Sequence, residues 1–304
     1  MTSVAPRRVV YSALMGQYEK LNEQPVARET DIDFICFTDD PELTSETWQI
    51  RLVEPRLPMD SIRSARYFKT RGFMLLGDYD ESLWIDNSVR LRSTPDAILD
   101  AWLADADIAI PQHSFRKTVI GEFDTVATDG YDDPARVYEQ LIHYSSLRPE
   151  SLQELPYWTA LLARRHTPEV DAAMSLWSDH IMRYSRRDQL SINFVLGSAG
   201  LPVTAIGIDN LSSEWHEWPV RADRKWHVTQ DRLANALRVP SVELGKLEND
   251  LRLMKEQIGA VETMHTDVLE ARENELHHLY RSTLSWRLMA PLRAVSTWMG
   301  RGRR

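Results

Sequence analysis

The sequence is poor in cysteine and has no long apolar run, and each shortage excludes a class of protein. Its 304 residues include one cysteine, Cys36, which excludes an internal disulfide framework and a cysteine-rich zinc site. Apolar runs never reach the roughly 18 residues of a membrane-spanning helix. The first residues carry no small-residue cleavage site, so we expect no secretory signal and a cytoplasmic location.

Glycine is also scarce, at 12 residues, and the glycine-rich nucleotide motifs are absent. The chain contains neither the P-loop pattern G-x-x-x-x-G-K-[ST] nor the dinucleotide pattern G-x-G-x-x-G. A glycine loop therefore does not cradle a phosphate here. If the protein binds a phosphorylated ligand, side chains or a metal must neutralise its charge.

Charge is unevenly distributed along the chain. The net charge is −9, from 36 basic and 45 acidic residues. Residues 280–304 hold six arginines and no acid, which leaves 30 basic and 45 acidic residues for the remainder. A body this acidic excludes nucleic acid as a partner, because neutralising phosphates needs a basic surface. The basic end needs a separate explanation.

Strand and helix signals alternate between residues 8 and 208. Runs rich in Val, Ile and aromatic residues predict strands at 8–15, 33–38, 48–53, 82–91, 106–111 and 202–208. Capping residues, three of them followed by proline, predict helices at 62–76, 97–104, 135–147 and 170–184. This alternation predicts an α/β fold, a sheet covered by helices, over about residues 1–237.

After residue 238 the pattern becomes helical. Apolar residues recur at spacings of three and four among charged residues, at Leu244, Leu247, Leu251, Met254, Ile258, Val261 and Val268. About three heptads of this kind predict a coiled coil over 238–282, and therefore a homo-oligomer. The alternative is one long surface helix packed against the body.

The basic end, residues 283–304, mixes arginines with tryptophans and aliphatic residues. This composition predicts a basic amphipathic tail that contacts the inner face of a membrane peripherally. Pro291 predicts two short helical pieces instead of one. The alternative is a tail docked on the acidic body of the same or a partner subunit.

The strongest local feature is the run from Leu83 to Leu91, in which apolar residues lead into Asp86-Asn87-Ser88. It places Asp86 at the carboxyl end of a buried strand, where ligands of α/β sheets collect. A carboxylate there could hold a divalent cation or a ribose hydroxyl. The alternative is an aspartate that caps a turn.

Six short motifs, in order over residues 8–200, resemble a glycosyltransferase-like family that was long catalogued as a domain of unknown function. The family occurs in bacteria and in plant cell-wall and mucilage proteins. The matching segments are Val10–Tyr18, Phe34–Asp39, Arg66–Lys69, Trp84–Asp86, His113 to Glu122 and Arg187–Ser191. Residues 282–293 also resemble an ending of bacterial surface-polysaccharide glycosyltransferases.

The resemblance implies a GT-A-like, Rossmann-type sandwich that transfers a sugar from a nucleotide-sugar donor to a glycan or lipid-linked acceptor. It implies catalytic roles for Asp188 and Glu122. It implies substrate contacts from Tyr11, Thr38, Asp39, Arg66, Lys69, Asp86, Asn87, His113, Arg116 and Gln189. Asp86 would also be the ligand of a Mn or Mg ion, although Ser88 stands where such folds place a second carboxylate.

Each of these residues also has a structural explanation. Asp188 would be stabilised at a helix N-terminus in any case, Arg116 and Glu122 could pair with each other, and Thr38-Asp39 could form a turn. Trp215, Trp218 and Trp226 could stack on a sugar or pack a C-terminal extension. The alternative function is a non-catalytic module that binds a glycan or nucleotide-sugar and assembles through its coil.

Overall fold

The protein is described by a computed structural model, which covers residues 5–223 and 240–293. The chain divides into two compact units, Met1–Leu233 and Ala234–Arg304. The predicted domain limit at residue 237 lies outside the described residues, and the predicted domain limits stay predictions.

The first unit alternates strands with helices. Its strands are β1 (Arg8–Leu14), β2 (Asp33–Thr38), β3 (Gln49–Leu52), β4 (Glu81–Ile85), β5 (Arg90–Leu91), β6 (Ile108–Pro111), β7 (Leu161–Arg165), β8 (Thr204–Ile206) and β9 (His216–Glu217). Its α-helices are α1 (Ser61–Arg71), α2 (Pro95–Trp102), α3 (Val119–Thr128), α4 (Pro134–Leu147), α5 (Pro168–Arg183) and α6 (Gln189–Ala199). Short 3-10 helices lie at Pro25–Glu29, Gly72–Leu75 and Pro149–Leu152.

Seven strands form one mixed sheet in the order β3-β2-β1-β4-β7-β6-β8. The strands β1 to β4 are mutually parallel, and β8 is parallel to β6. Only β7 runs against its two neighbours, β4 and β6. The separate pair β5 and β9 is antiparallel. The predicted α/β class is confirmed, with a sheet dominated by parallel strands.

The sheet is buried on both faces because most side chains of its central strands are apolar. In β1, Tyr11 and Ala13 belong to one core and Val10 and Leu14 to the other, as the two-residue period of a strand requires. The first core also takes residues of α1, α3, α4, α5 and α6, and the second takes residues of α2. The result is a sandwich of helices around a sheet, typical of strands buried on both faces.

Two details of the sheet differ from the predictions. The strand predicted over 82–91 is broken into β4 and β5, because Asp86 and the turn after it lie between them and belong to neither strand. The strand β7 and helix α3 were not predicted at all. The β7 sequence ends in two arginines, and Arg164 is fully buried, with its guanidinium donating to the Tyr11 hydroxyl. A charged residue inside the sheet hides the strand pattern.

The second unit is helical. Helix α7 spans Pro240–Ser282, and Thr283 caps the short helix α8 (Leu284–Leu288). Apolar side chains of the predicted heptad stripe, such as Leu251 and Ile258, are exposed along α7. The helical prediction is met, whereas the coiled coil stays a prediction. Residues 294–304 of the predicted tail lie outside the described residues. Among the described helices, none is both long and apolar enough to cross a bilayer.

One glycine holds the loop that follows β1 beside the start of α1. Gly16 has a φ of +71°, and a Cβ there would lie 2.7 Å from Ser61 Cβ. Its amide donates to Asp39 Oδ1 at 2.8 Å, which ties the ends of β1 and β2 together. This position therefore requires glycine for both conformation and space.

We expect Gly16→Ala to lower the free energy of unfolding by about 2 kcal/mol, since it combines a strained backbone with a steric clash. Denaturant unfolding measures the loss. The matched control is Gly77→Ala, where no heavy atom lies within 4 Å of the added methyl group. Equal losses in the two variants would contradict this explanation.

Candidate active site at the strand ends

Polar side chains gather where four strands of the main sheet end. The register makes β1, β2, β4 and β6 run in one direction, so their carboxyl ends share an edge. Asp86 follows β4 directly and His113 follows β6 by two residues. This edge is the usual place for a ligand in an open α/β sheet.

Helix α1 brings two cations to this edge. Asp60 caps the helix by accepting from the Arg63 amide at 2.9 Å. Arg66 and Lys69 are three residues apart and therefore share a helix face. Lys69 is fully buried, and its carbonyl accepts from the Tyr11 hydroxyl at 2.9 Å. The helix is thereby fixed to the central strand beneath it.

Four charged side chains meet in one cluster. Lys69 Nζ lies 2.5 Å from Asp188 Oδ2 and 3.3 Å from Asp86 Oδ1. Arg66 reaches the same two oxygens, with Nε 3.3 Å from Asp188 and NH1 3.4 Å from Asp86. We call Arg66, Lys69, Asp86 and Asp188 the charged cluster. It joins residues separated by up to 122 positions in the sequence, and its two cations balance its two carboxylates.

Asp188 lies at the bottom of the charged cluster. It occupies the N-cap position of α6, yet its side chain makes no capping hydrogen bond. Instead Oδ2 also accepts from Thr159 Oγ1 at 3.1 Å, and the Asp188 carbonyl accepts from Trp177 Nε1 at 3.1 Å. With 2% exposure, this carboxylate holds the two cations in place. Its predicted action on an acceptor stays a prediction.

Asp86 and Arg66 form the accessible side of the charged cluster. Their side chains are 21% and 19% exposed, compared with 0% for Lys69. Trp84 Nε1 donates to Asp86 Oδ1 at 2.7 Å, which fixes the orientation of the carboxylate. A ligand at the strand ends would therefore meet Asp86 and Arg66 first.

Both carboxylates of the charged cluster are held ionised. Burial favours the protonated acid, but Arg66 and Lys69 outweigh it and hold the pKa of Asp188 well below its ordinary value. The same balance lowers the pKa of Asp86. Burial lowers the pKa of Lys69, an effect that the two carboxylates offset only in part.

The residues around Asp86 do not fit a resident divalent cation. Among the described residues, no three His, Cys, Asp or Glu side chains are grouped to hold a metal. Ser88 Oγ accepts from Trp218 Nε1 at 3.1 Å, and the Asn87 amide is bound to residues 20 and 22. Asp86 Oδ1 already faces two cations, which would repel a third.

Four other predicted site residues are engaged in holding the fold. Tyr11 is fully buried, and its hydroxyl donates to the Lys69 carbonyl in α1. Thr38 Oγ1 accepts from the Asp40 amide at 3.1 Å, and Asp39 accepts from Gly16. The Asn87 side chain is hydrogen-bonded to residues 20 and 22. For all four residues, substrate contacts stay predictions.

The last group lies at the end of β6 and near the start of α6. Arg116 Nε donates to Glu122 Oε2 at 2.9 Å, as the pairing alternative predicts, and Glu122 is buried. Gln189 accepts from Arg187 at 3.4 Å. Burial, with Arg116 and Arg187 nearby, lowers the pKa of His113 to about 4. At neutral pH, His113 is therefore uncharged.

Two residues of the site were missed from the sequence. Thr159 and Trp177 bind Asp188 through its carboxylate and its carbonyl respectively. Thr159 lies two residues before the strand β7, which was not predicted. The available signal was the apolar run at residues 160–163, which follows Trp158-Thr159.

The fold and the charged cluster define the class: an α/β domain with an ionised site at the carboxyl edge of its sheet. The model of the TOD1/MUCI70 family, a glycosyltransferase-like domain, matches residues 6–200. The chain belongs to this family, as the sequence motifs predict.

One curated relative and two solved structures are similar to this chain. The probable hexosyltransferase MUCI70 of Arabidopsis thaliana is 27% identical over 157 residues, which cover 49% of this chain and 27% of that protein. The chain thus spans about a quarter of the length of this relative. An apo structure of the bifunctional glycosyltransferase WbbM has a TM-score of 0.42 at 12% identity, over 69% of this chain and 40% of that one. Core-mannan synthase A of Aspergillus fumigatus, in a Mn/GDP form, has a TM-score of 0.38 at 11% identity, over 65% and 71%.

The buried part of the charged cluster generates a stability prediction. Asp188→Asn should lower the free energy of unfolding by about 3–5 kcal/mol, because the buried Lys69 and the partly buried Arg66 would then share a single carboxylate, that of Asp86. Lys69→Met should also destabilise the fold. The double variant should lose less than the sum of the two, since it removes one charge of each sign.

Denaturant unfolding of the four proteins in this cycle measures the coupling. Asp86→Asn is the control, with a smaller expected loss because its carboxylate is one-fifth exposed. Strict additivity of the two single losses would show that Lys69 and Asp188 do not stabilise each other.

Proposed function

We propose that this protein is a glycosyltransferase that moves a hexose from a nucleotide-sugar donor to a hydroxyl of a glycan or lipid-linked acceptor. The bond between the anomeric carbon and the diphosphate oxygen breaks. A bond from the acceptor oxygen to the anomeric carbon forms, the acceptor hydroxyl gives up its proton, and a nucleoside diphosphate leaves. Family membership supports the class of reaction, and the similarity to the plant protein, a probable hexosyltransferase, supports a hexose.

The charged cluster is the observation that carries this proposal. It places two cations and an accessible carboxylate at the strand ends, in a chain without a glycine-rich phosphate loop. Arginine offers a planar fork that matches phosphate oxygens. Arg66, the more exposed of the two cations, therefore contacts the diphosphate, with Lys69 behind it as a fixed positive charge.

The carboxylates have different tasks in this scheme. Asp86 is accessible at the end of β4 and contacts the donor beside its sugar. Asp188 and Glu122 are buried against Lys69 and Arg116 respectively, so they act as positioning residues for these cations. The support for this assignment is burial, since the side chains of Asp188 and Glu122 are 2% and 5% exposed, compared with 21% for Asp86. The alternative is the direct role at the reacting centre that the resemblance implies.

Donor binding in this proposal does not require a divalent cation. The support is the set of hydrogen-bond donors around Asp86, because Lys69, Arg66 and Trp84 all approach Oδ1 of its carboxylate. Lys69 and Arg66 supply the positive charge that a metal would bring to the diphosphate. Mn or Mg carried in by the donor is the alternative, and chelation tests it.

We expect a UDP-, GDP- or dTDP-sugar to raise the melting temperature of the wild-type protein, because a ligand bound only to the native state stabilises it. The same sugar nucleotide should be hydrolysed or transferred. Asp86→Asn should reduce turnover by at least about 100-fold, the scale expected for a lost catalytic carboxylate, and keep the native fold. Nucleoside diphosphate release measures turnover.

The control variant is Glu139→Gln, which neutralises an exposed carboxylate paired with Arg183 on the same unit. It should leave turnover unchanged. EDTA should leave donor binding intact, and loss of binding would assign a cation to Asp86. Donor binding with no turnover in the wild-type protein would favour the non-catalytic binding module.

The second unit has a separate role in the proposal. We propose that α7 pairs with a second copy of this chain and that the basic tail contacts the inner face of a membrane, where surface polysaccharide is made. The support is the exposed apolar stripe of α7 and the absence of acids from residue 280 onward. The guanidinium of Arg293, which follows α8, lies 3.5 Å from the centre of the Trp286 ring in α8.

Ile258→Glu should convert an oligomer to a monomer, since it buries a charge in the predicted interface. The same variant should bind anionic phosphatidylglycerol vesicles more weakly, because paired tails bind with avidity. Sedimentation with and without vesicles measures both effects. Leu253→Glu, at an exposed apolar position outside the stripe, is the matched control. A wild-type monomer would contradict the pairing, and equal vesicle binding by all three proteins would favour a docked tail.

A further inference from the structure

Two aromatic rings, one exposed and one partly buried, lie near the charged cluster, and the scheme above does not use them. The rings of Phe115 and Trp218 are nearly parallel, at 18°, with centroids 6.5 Å apart. Phe115 is 50% exposed. Trp158 packs edge-on against Trp218, with centroids 5.5 Å apart, and is itself buried. We call the Phe115 and Trp218 rings the aromatic platform.

The aromatic platform is held in place by hydrogen bonds from a buried asparagine. Asn210 is fully buried. Its Oδ1 accepts from the Ser114 amide at 2.7 Å, and its Nδ2 donates to the Gln112 carbonyl at 2.9 Å. Its own carbonyl is bonded to His216 Nε2 at 3.0 Å, two residues before Trp218. These bonds hold both the segment that carries Phe115 and the segment that carries Trp218. The platform is therefore ordered before any ligand binds, which reduces the entropy lost on binding.

Polar groups line one side of the aromatic platform. The His113 ring meets Phe115 edge-on, with centroids 4.2 Å apart, and the Arg116 guanidinium lies 5.8 Å from the centre of the Phe115 ring. His113 is 6% exposed, and its Nδ1 has no hydrogen-bond partner among the described residues. A buried polar atom without a partner is uncommon in folded proteins and needs an explanation.

Two contacts connect the aromatic platform to the charged cluster. Trp218 Nε1 donates to Ser88 Oγ, two residues after Asp86. Trp158 directly precedes Thr159, which donates to Asp188. In the sheet, β6 lies on one side of β4, and β1 and β2 lie on the other. A ligand on the platform therefore sits beside Asp86, across from the ends of β1 and β2.

We propose that the aromatic platform binds the sugar ring of the acceptor. Pyranose rings have an apolar face of C–H groups that packs on aromatic rings, and a rim of hydroxyls for polar side chains. Phe115, the exposed ring, takes the apolar face with Trp218 stacked on it, while the partly exposed Arg116 faces the rim. This inference rests on the proposed transferase function, since it names the acceptor site of the same reaction.

The test uses the full chain and a panel of methyl hexopyranosides as probes. Saturation-transfer NMR should show the ring C–H protons of at least one glycoside in contact with the wild-type protein, and Phe115→Ala should abolish the signal. With that glycoside as acceptor, Phe115→Ala should raise KM for the acceptor at least tenfold, and more than it changes KM for the donor. Trp218→Phe, which keeps a ring, should lose less than Trp218→Ala.

The control is Tyr138→Ala, which removes an aromatic side chain of similar exposure, 55%, from α4. It should change neither the NMR signal nor either KM. No saturation transfer to any glycoside, or a Phe115→Ala effect confined to the donor KM, would overturn the platform while leaving the transferase proposal standing. Absence of donor turnover in the wild-type protein would overturn the transferase proposal itself. The NMR signal requires no turnover, so it tests the platform separately.

Discussion

The ion pair between Lys69 and Asp188 is the constraint on which the rest of the site depends. Both side chains are buried, and burying either charge alone would be expensive. The pair is satisfied only if α1, the start of α6 and the end of β4 reach the same point. The fold must therefore bring these three elements together, and in doing so it presents Asp86 and Arg66 at the surface.

This arrangement gives the site its electrostatic character. Two cations and two carboxylates cancel, so the cluster is close to neutral although the charges themselves are ionised. A ligand with phosphate charge competes with Asp86 for Arg66 and Lys69 instead of filling a preformed positive pocket. Arg66 and Asp86 are the more exposed pair and lie 3.4 Å apart, so exchange is easiest between them. Lys69 and Asp188 remain paired as the fixed, buried part of the cluster.

The segment after β8 brings Trp218, one ring of the aromatic platform, to the site. It returns across the strand ends, where β9 pairs with β5 and Trp218 bonds to Ser88. Ser88 stands where the resemblance implies a second carboxylate, and it accepts from Trp218 instead. The residue that argues against a metal thus also anchors the aromatic platform near the charged cluster.

The sequence by itself determined the α/β class, most helix starts and the position of Asp86 at a strand end, because capping residues and apolar runs act locally. It also identified Arg66 and Lys69 as neighbours, since three residues nearly complete a helical turn. Only the tertiary structure decided that these cations face Asp188, that Thr159 and Trp177 support it, and that Tyr11 is buried beneath α1. Those contacts join residues far apart in the chain. Strand β7, which brings Thr159 to the site, carries a buried arginine that no local pattern of hydrophobic residues reveals.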